Sequence, residues 1–242
     1  PDRRTESGAG MTANGLFITG TGTGIGKTLL TATLTAQARA AGRAVTALKP
    51  VVSGFSMTDP TSDTALLAQA QDLPWSTATA DRLSPLRFAA PLSPDMAAAR
   101  EGRTLALAEV VAASRAAMPS AGTGLIEGVG GAFVPIDHSS TVADWIAALG
   151  LPALVVVGSY LGTLSHSIAT VRAMRDRGLS VAALVVSQSA EEPVPLGETV
   201  AALERHVGEP VAVLPRLTGQ QVPPDLTHLI DFAALPDPVG DD

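Results

Sequence analysis

The stretch Thr19-Gly20-Thr21-Gly22-Thr23-Gly24-Ile25-Gly26-Lys27-Thr28 constrains this chain more than any other. Before it lies a short apolar run, Leu16-Phe17-Ile18, that reads as a buried strand. After it, residues 29–41 are rich in Ala and Leu, contain no Pro or Gly, and read as a helix. Strand, glycine-rich turn, Lys-Thr and helix in this order predict a phosphate-binding loop. The glycines let the backbone curl so that its N–H groups face one anion, and the helix start adds the positive end of its dipole. Gly22, Gly24, Ile25 and Gly26 are then phosphate contacts, Lys27 reaches the outer phosphates, and the Thr28 hydroxyl is a Mg²⁺ ligand. Five residues rather than the common four separate Gly20 from Gly26, so the loop is one residue longer than the usual spelling.

Beyond this loop the chain alternates between strand and helix patterns. Strands are expected at 44–48, 86–88, 124–127, 153–157, 181–186 and 211–214. Helices are expected from Asp63 through Gln71, from Pro94 to Glu101, over 104–118 and 142–149, from about Gly162 to Arg177, and over 196–207 and 225–235. Residues 72–83 read as irregular. This βαβ spacing predicts a P-loop NTPase-type α/β fold with a mostly parallel sheet and helices on both faces. We expect a single domain over 11–236, preceded by a polar lead or tag at 1–10 and followed by a loose acidic tail at 237–242.

Charge and composition narrow the function. A net charge of -7 and a pI near 5.0 argue against nucleic acid as a partner. The absence of cysteine removes disulfides, thiolate metal sites and thiol catalysis, and fits a cytoplasmic protein. No apolar run approaches the roughly 18 residues that a membrane span needs. Of the 16 basic residues only two are lysines, Lys27 and Lys49. In a chain that otherwise uses Arg, these mark places where a compact ammonium is needed.

Lys49 closes the second strand in Lys49-Pro50-Val51-Val52-Ser53-Gly54. Ligands of open parallel sheets gather beyond the carboxyl ends of strands, which puts Lys49 and Ser53 near the phosphate loop. Asp63, in the first turn of its helix, reads equally as a helix-start acid or as a Mg²⁺ ligand beside Thr28. In Gly124-Leu125-Ile126-Glu127-Gly128-Val129-Gly130-Gly131 an apolar strand delivers an acid to a glycine turn. That suits Mg²⁺ ligation by Glu127; the alternative is a hairpin with an exposed Glu. A second strand-to-helix turn, Gly158 to His166, exposes backbone N–H groups suited to a carboxylate.

Taken together these stations resemble the dethiobiotin synthase family over roughly 16–217. The residues that carry the likeness are Thr19 to Thr28, Lys49 to Gly54, Ser62-Asp63, Pro91-Leu92-Ser93-Pro94, Glu127 to Gly131, Ala143-Asp144-Trp145 and Leu161-Gly162-Thr163-Leu164-Ser165-His166. The resemblance implies a homodimeric, ATP- and Mg²⁺-dependent cyclo-ligase that joins CO2 to 7,8-diaminopelargonate through a carbamate and a carbamic-phosphoric anhydride. It implies Lys27, Lys49, Thr23 and Ser53 as catalytic residues. Thr28, Asp63 and Glu127 become the metal ligands, and Glu127, Ser187 and Pro215 join the loop in binding the nucleotide. The substrate lies on Thr23, Lys49, Ser53 and Pro91, with its carboxylate on Gly162, Thr163, Leu164 and Ser165 of the other subunit. Three positions depart from the family pattern: Gly24 replaces an acid, Ser165 replaces Asn, and Ser187 stands where an adenine-reading Asn is expected. Either Gln188 substitutes there or other nucleoside triphosphates are accepted. The competing expectation is a dimeric P-loop switch ATPase of the partitioning and division-site type. Against it stand Thr21, where such ATPases often carry an extra lysine, and an acidic last helix.

Overall fold

The computed structural model describes residues 14–218 and 221–234. The expectations for 1–10 and 237–242 lie outside the described residues. Six parallel strands form the main sheet in the order β2-β5-β1-β6-β7-β8. They are β1 (Gly15–Gly20), β2 (Val45–Leu48), β5 (Thr123–Glu127), β6 (Ala153–Val157), β7 (Val181–Ser187) and β8 (Val211–Leu214). A separate pair of parallel strands, β3 (Val51–Ser53) and β4 (Leu86–Phe88), stands beyond the end of β2. Parallel neighbours require crossovers, and helices supply most of them: α1 (Lys27–Ala40), α2 (Asp63–Gln69), α3 (Thr77–Leu83), α4 (Pro94–Arg100), α5 (Leu107–Ala117), α6 (Val142–Leu149), α7 (Thr163–Asp176) and α8 (Leu196–Val207).

Side chains alternate across the sheet as a strand demands. Leu16 and Ile18 of β1 pack on one face with Leu30 and Leu34 of α1 and Ile230 of the last element. Phe17 packs on the other, with its ring edge against Trp145 of α6 at a centroid distance of 4.9 Å. Both aromatic rings are fully buried, and the Trp145 indole N–H donates to Ser114 Oγ at 3.0 Å.

Four local readings change. The first helix begins at Lys27, not at residue 29. Residues 72–83, expected to be irregular, contain α3; only Ala80 and Leu83 of it are buried, too few to give the sequence a helical period. The segment after Lys49 forms a strand of its own because Pro50 interrupts β2 and the chain then pairs Val51–Ser53 with β4. The last element is a 3-10 helix, Thr227–Ala234, rather than an α-helix. One device has no counterpart among the sequence expectations. β2 is an edge strand, and the buried Gln71 amide takes the place of a neighbour: it accepts from Ala47 N at 3.1 Å and donates to Ala47 O at 3.0 Å.

Candidate functional site

Register brings the charged residues together. Leu48 pairs with Ile126, so the next residues of β2 and β5, Lys49 and Glu127, leave the sheet side by side. Ile18 pairs with Glu127, which puts the loop after β1 next to both. Glu127 therefore lies on a buried parallel strand with no exposed surface, and the hairpin alternative falls. The unexpected helix α3 helps to seat Lys49, whose backbone N–H donates to Leu83 O at 2.9 Å.

The loop itself curls as its glycines require. Gly26 caps α1 in a left-handed conformation, φ 98°, and a Cβ there would come within 2.3 Å of Ser187 Oγ. The second glycine cluster packs against the first. Ala132 N–H donates to Gly20 O at 2.9 Å, and a Cβ on Gly131 would lie 3.2 Å from Gly22 N. Gly131 thus keeps the two turns at close backbone-to-backbone distance.

Five side chains converge at the start of α1. Lys27 Nζ folds back to donate to Gly22 O at 2.7 Å. Thr28 Oγ1 lies 2.9 Å from Asp63 Oδ1 and 2.7 Å from Glu127 Oε1. Lys49 Nζ donates to Glu127 Oε1 at 2.6 Å and also to Asp63 Oδ2. Asp63 is not the cap of α2; that role belongs to Ser62, and the Asp63 carboxylate is given to Lys49 and Thr28. Burial works against both ammonium groups, with opposite results. At Lys27 it wins and lowers the pKa to about 8, opposed by Glu127 and Asp63 and aided by Lys49. At Lys49 the two touching carboxylates outweigh burial and hold the pKa above the ordinary lysine value. Asp63 answers in kind: burial raises its pKa, but the Lys49 charge and hydrogen bond bring it below the usual value.

The fit of this cluster to a divalent cation can be tested on one atom. Glu127 Oε2 is buried and has no hydrogen-bond partner. A carboxylate oxygen left so would be costly unless a cation or water takes it. With Thr28 Oγ1 and Asp63 it gives a set of hard oxygen donors suited to Mg²⁺. Among the described residues no group of three His, Cys, Asp or Glu forms a metal cluster; the two carboxylates and the Thr28 hydroxyl are the protein oxygens gathered here, and Mg²⁺ commonly takes further ligands from phosphate and water.

These groups open into a cleft of about 550 Å³. It brings together Thr23, Gly24, Gly26, Lys27, Thr28, Lys49, Ser53, Asp63, Pro91 and Glu127, all expected from the sequence. It also includes Leu92, Ser93, Val129 and Val134, for which no site role was expected. Gly22 joins through its carbonyl, and the Ile25 side chain turns under the loop toward Gly20. Ser187 and Pro215 lie on the opposite flank of the loop. Ser187 pairs with Leu214 across β7 and β8, which sets Pro215 beside Gln188. The Gln188 amide is already engaged, accepting from Arg216 N at 3.0 Å and donating to Glu192 Oε2 at 2.7 Å. Gly162, Thr163, Leu164 and Ser165 do not line the cleft of their own chain. Gly162 caps α7 at φ 97°, Thr163 is buried with its hydroxyl on Gly158 O at 2.6 Å, and Gly162, Leu164 and Ser165 are exposed. No helix among the described residues is long and apolar enough to cross a membrane.

A family model described as an AAA domain matches residues 14–221. The chain is 48% identical over 208 residues to the ATP-dependent dethiobiotin synthetase BioD of Methylobacterium nodulans, spanning 83% of this chain and 92% of that protein. To the protein of the same name from Acidiphilium cryptum it is 44% identical over 198 residues, spanning 79% and 87%. Among solved structures, a chain of the MinC:MinD cell division protein complex of Aquifex aeolicus matches with a TM-score of 0.51. Its identity is 13% over 90% of this chain and 85% of that one, a likeness of fold alone.

Proposed function

The chain belongs to the ATP-dependent dethiobiotin synthetase family, and on that basis we propose that it converts 7,8-diaminopelargonate, CO2 and ATP to dethiobiotin, ADP and phosphate. It is a ligase of biotin biosynthesis. One observation carries the reading of its site: Lys49, Asp63, Glu127, Lys27 and Thr28, drawn from four separate elements or their ends, meet at one phosphate loop.

The chemistry assembles several negative charges at one place, so neutralising and positioning them is most of the task. The loop N–H groups of Gly22 to Gly26 and the Lys27 ammonium hold the β and γ phosphates. One amine of the substrate adds to CO2 and loses a proton, giving a carbamate. Lys49 balances that carbamate, and the hydroxyls of Thr23 and Ser53 bond its oxygens or the diamine nitrogens. Pro91 lies beneath the diamine. The carbamate oxygen takes the γ-phosphoryl group, ADP leaves, and the second amine attacks the carbonyl and expels phosphate. The proton that the second amine loses on ring closure is taken by the expelled phosphate, so no side chain is assigned as general base. Thr28, Asp63 and Glu127 are the residues that would hold Mg²⁺, which supplies further charge neutralisation at the phosphates. Ser187 and Pro215 flank the nucleoside.

The exposed start of α7 suits the substrate carboxylate, offered from a second copy of the chain. A homodimer is therefore part of the proposal, with residues 11–236 working as one ligase domain in the cytoplasm. The test is ADP release with ATP, Mg²⁺, bicarbonate and diaminopelargonate. Release that strictly requires the diamine supports the ligase; turnover without it, stimulated by DNA or lipid, supports a switch ATPase.

A further inference from the structure

α1 carries Lys27 and Thr28 at its start, and its far half makes contacts of another kind. After β8 the chain leaves the core at Leu214 and returns to it at Leu226. Both leucines are buried in the same cluster as Leu30 and Leu34 of α1. Pro215, assigned to the nucleoside flank, opens this excursion. Glutamine amides hold its two ends. At the first, Gln188 Oε1 accepts from Arg216 N at 3.0 Å. At the second, Gln37 of α1 donates from Nε2 to Pro224 O at 2.7 Å and accepts at Oε1 from Leu226 N at 3.0 Å. One amide thus answers a carbonyl and an N–H two residues apart, as a parallel strand would. Gln71 does the same for Ala47 at the edge of the sheet. Within the excursion Thr218 N donates to Gln221 Oε1 at 3.0 Å, and Pro223 and Pro224 follow with φ fixed by their rings. Those prolines leave little slack between the Gln37 contact and the Thr218–Gln221 turn. The 3-10 helix beyond has anchors of its own. Leu229 and Ile230 are buried, and Arg43 donates to Thr227 O at 3.3 Å and pairs with Asp231 at 2.9 Å. That helix does not need Gln37 to stay on the sheet, so the force of the Gln37 contacts falls on the excursion.

We infer that Gln37 is a positioning residue for the nucleotide: by fastening Pro224 and Leu226 to α1, it holds Pro215 and Arg216 where the nucleoside meets them. The inference rests on the reading of Ser187 and Pro215 as the nucleoside's flank and adds the contact that fixes that flank from behind. α1 then serves both halves of one ligand. Its first turn binds the phosphates, and its far half holds the chain that meets the nucleoside.

The test compares ADP with inorganic pyrophosphate, both with Mg²⁺, by calorimetric Kd; the two ligands share a diphosphate and differ by the nucleoside. Gln37→Met keeps the length of the side chain and loses both hydrogen bonds. It should weaken ADP about tenfold, the scale of one or two hydrogen bonds, and leave pyrophosphate within about twofold. Gln37→Glu keeps the acceptor for Leu226 N, loses the donor to Pro224 O, and should weaken ADP about threefold. Arg43→Ala loosens only the 3-10 helix and should leave both ligands within about twofold. Equal weakening of ADP and pyrophosphate by Gln37→Met overturns the inference, because α1 itself is then disturbed. Unchanged ADP affinity overturns it as well, and so does a loss with Arg43→Ala as large as with Gln37→Met. If Gln37→Met does not fold, the ratio of ADP to pyrophosphate affinity in Gln37→Glu decides in the same way. Unsubstituted protein that binds ADP no more tightly than pyrophosphate overturns the nucleoside reading of Ser187 and Pro215 and this inference with it, and is recognised before any variant is made.

Discussion

Two helices of this protein begin in the same way and end up with opposite surroundings. α1 and α7 follow the adjacent strands β1 and β6, and each is capped by a left-handed glycine, Gly26 at φ 98° and Gly162 at φ 97°. Neither has a side-chain cap or an acid in its first turn, so both present free N–H groups to an anion. Around α1 the chain then crowds two buried lysines and the buried Glu127 carboxylate, with the half-exposed Asp63 beside them. Around α7 the contacts are sparser and uncharged: Leu161 is 83% exposed, Thr163 Oγ1 donates to Gly158 O at 2.6 Å, and Tyr160 Oη lies 2.9 Å from His166 Nδ1. The backbone device is common to both; the strand order decides what it can bind. β1 lies between β5 and β6, and only its β5 side is followed by β2 and hence by Lys49. A highly charged ligand needs the α1 arrangement, whereas one carboxylate can be met by N–H groups alone.

The hardest test of that contrast removes the ammonium that α7 lacks. Lys49→Gln should lower kcat for ring closure by about 10³, with the ATP dissociation constant changed only a few-fold because Lys27 and the loop remain. Near-normal turnover would mean that the loop alone accounts for α1's chemistry and that the contrast is only one of exposure. Glu127→Gln comes next, about 10² in kcat, because it removes the charge on the buried carboxylate that pairs with Lys49 and Thr28. Its effect should appear as a rise in the Mg²⁺ concentration needed for half-maximal rate; a proportional loss at all Mg²⁺ concentrations would take Glu127 out of the metal set.

Paired glycine substitutions separate the two helix starts further, since they apply the same strain to both. A left-handed Ala costs roughly 1–2 kcal/mol at either position. At Gly26 the new Cβ would also strike Ser187 Oγ, at 2.3 Å, whereas at Gly162 the nearest atom is His166 Cε1 at 3.6 Å. Gly26→Ala should therefore raise ATP KM at least thirtyfold, and Gly162→Ala should raise diaminopelargonate KM about fivefold with ATP KM unchanged. A shift in ATP KM from Gly162→Ala would place α7 at the nucleotide and undo the assignment.

The α1 site was largely legible in the sequence because its spelling is local: glycines, Lys27 and Thr28 are consecutive, and Glu127 ends an apolar run before a glycine turn. Lys49 was found through its rarity in a chain that uses Arg almost everywhere else. What the residues did not reveal were contacts between distant, short elements. β3 has three residues and α3 buries one narrow face, so neither leaves a period to read; β4 matches the strand expected at 86–88, but its pairing with β3 could not be read. The double hydrogen bond from Gln71 to Ala47 looks from sequence like any polar residue at a helix end. Val134 and Leu92 are isolated apolar residues in loops, and only the fold brings them into one cleft. The direct pairing of Lys49 with the two proposed metal ligands likewise needed the β2–β5 register.

The smallest effect concerns how α7 is held while its first turn stays free. Its far end is anchored: Arg177, the residue that caps it, forms an ion pair with Asp144, whose other oxygen accepts from Thr141 N at 2.7 Å and Thr141 Oγ1 at 2.8 Å at the start of α6. Burial raises the Asp144 pKa, but the Thr141 hydrogen bonds and the Arg177 charge outweigh it and keep the group below the usual carboxylate range. A carboxylate depressed on folding contributes stability that is present above its unfolded pKa and lost as the pH falls through the folded one. Asp144→Ala should cost about 1 kcal/mol at pH 7, the scale of a lost cap together with a largely exposed ion pair. The gap in melting temperature between the two proteins should narrow steadily as the pH falls below about 4. KM for diaminopelargonate should stay within twofold at pH 7, because the N–H groups at the start of α7 do not depend on its far end. A large rise in that KM would show that anchoring and recognition are coupled along the helix, and the bare first turn would then owe its binding geometry to Asp144 as much as to Gly162.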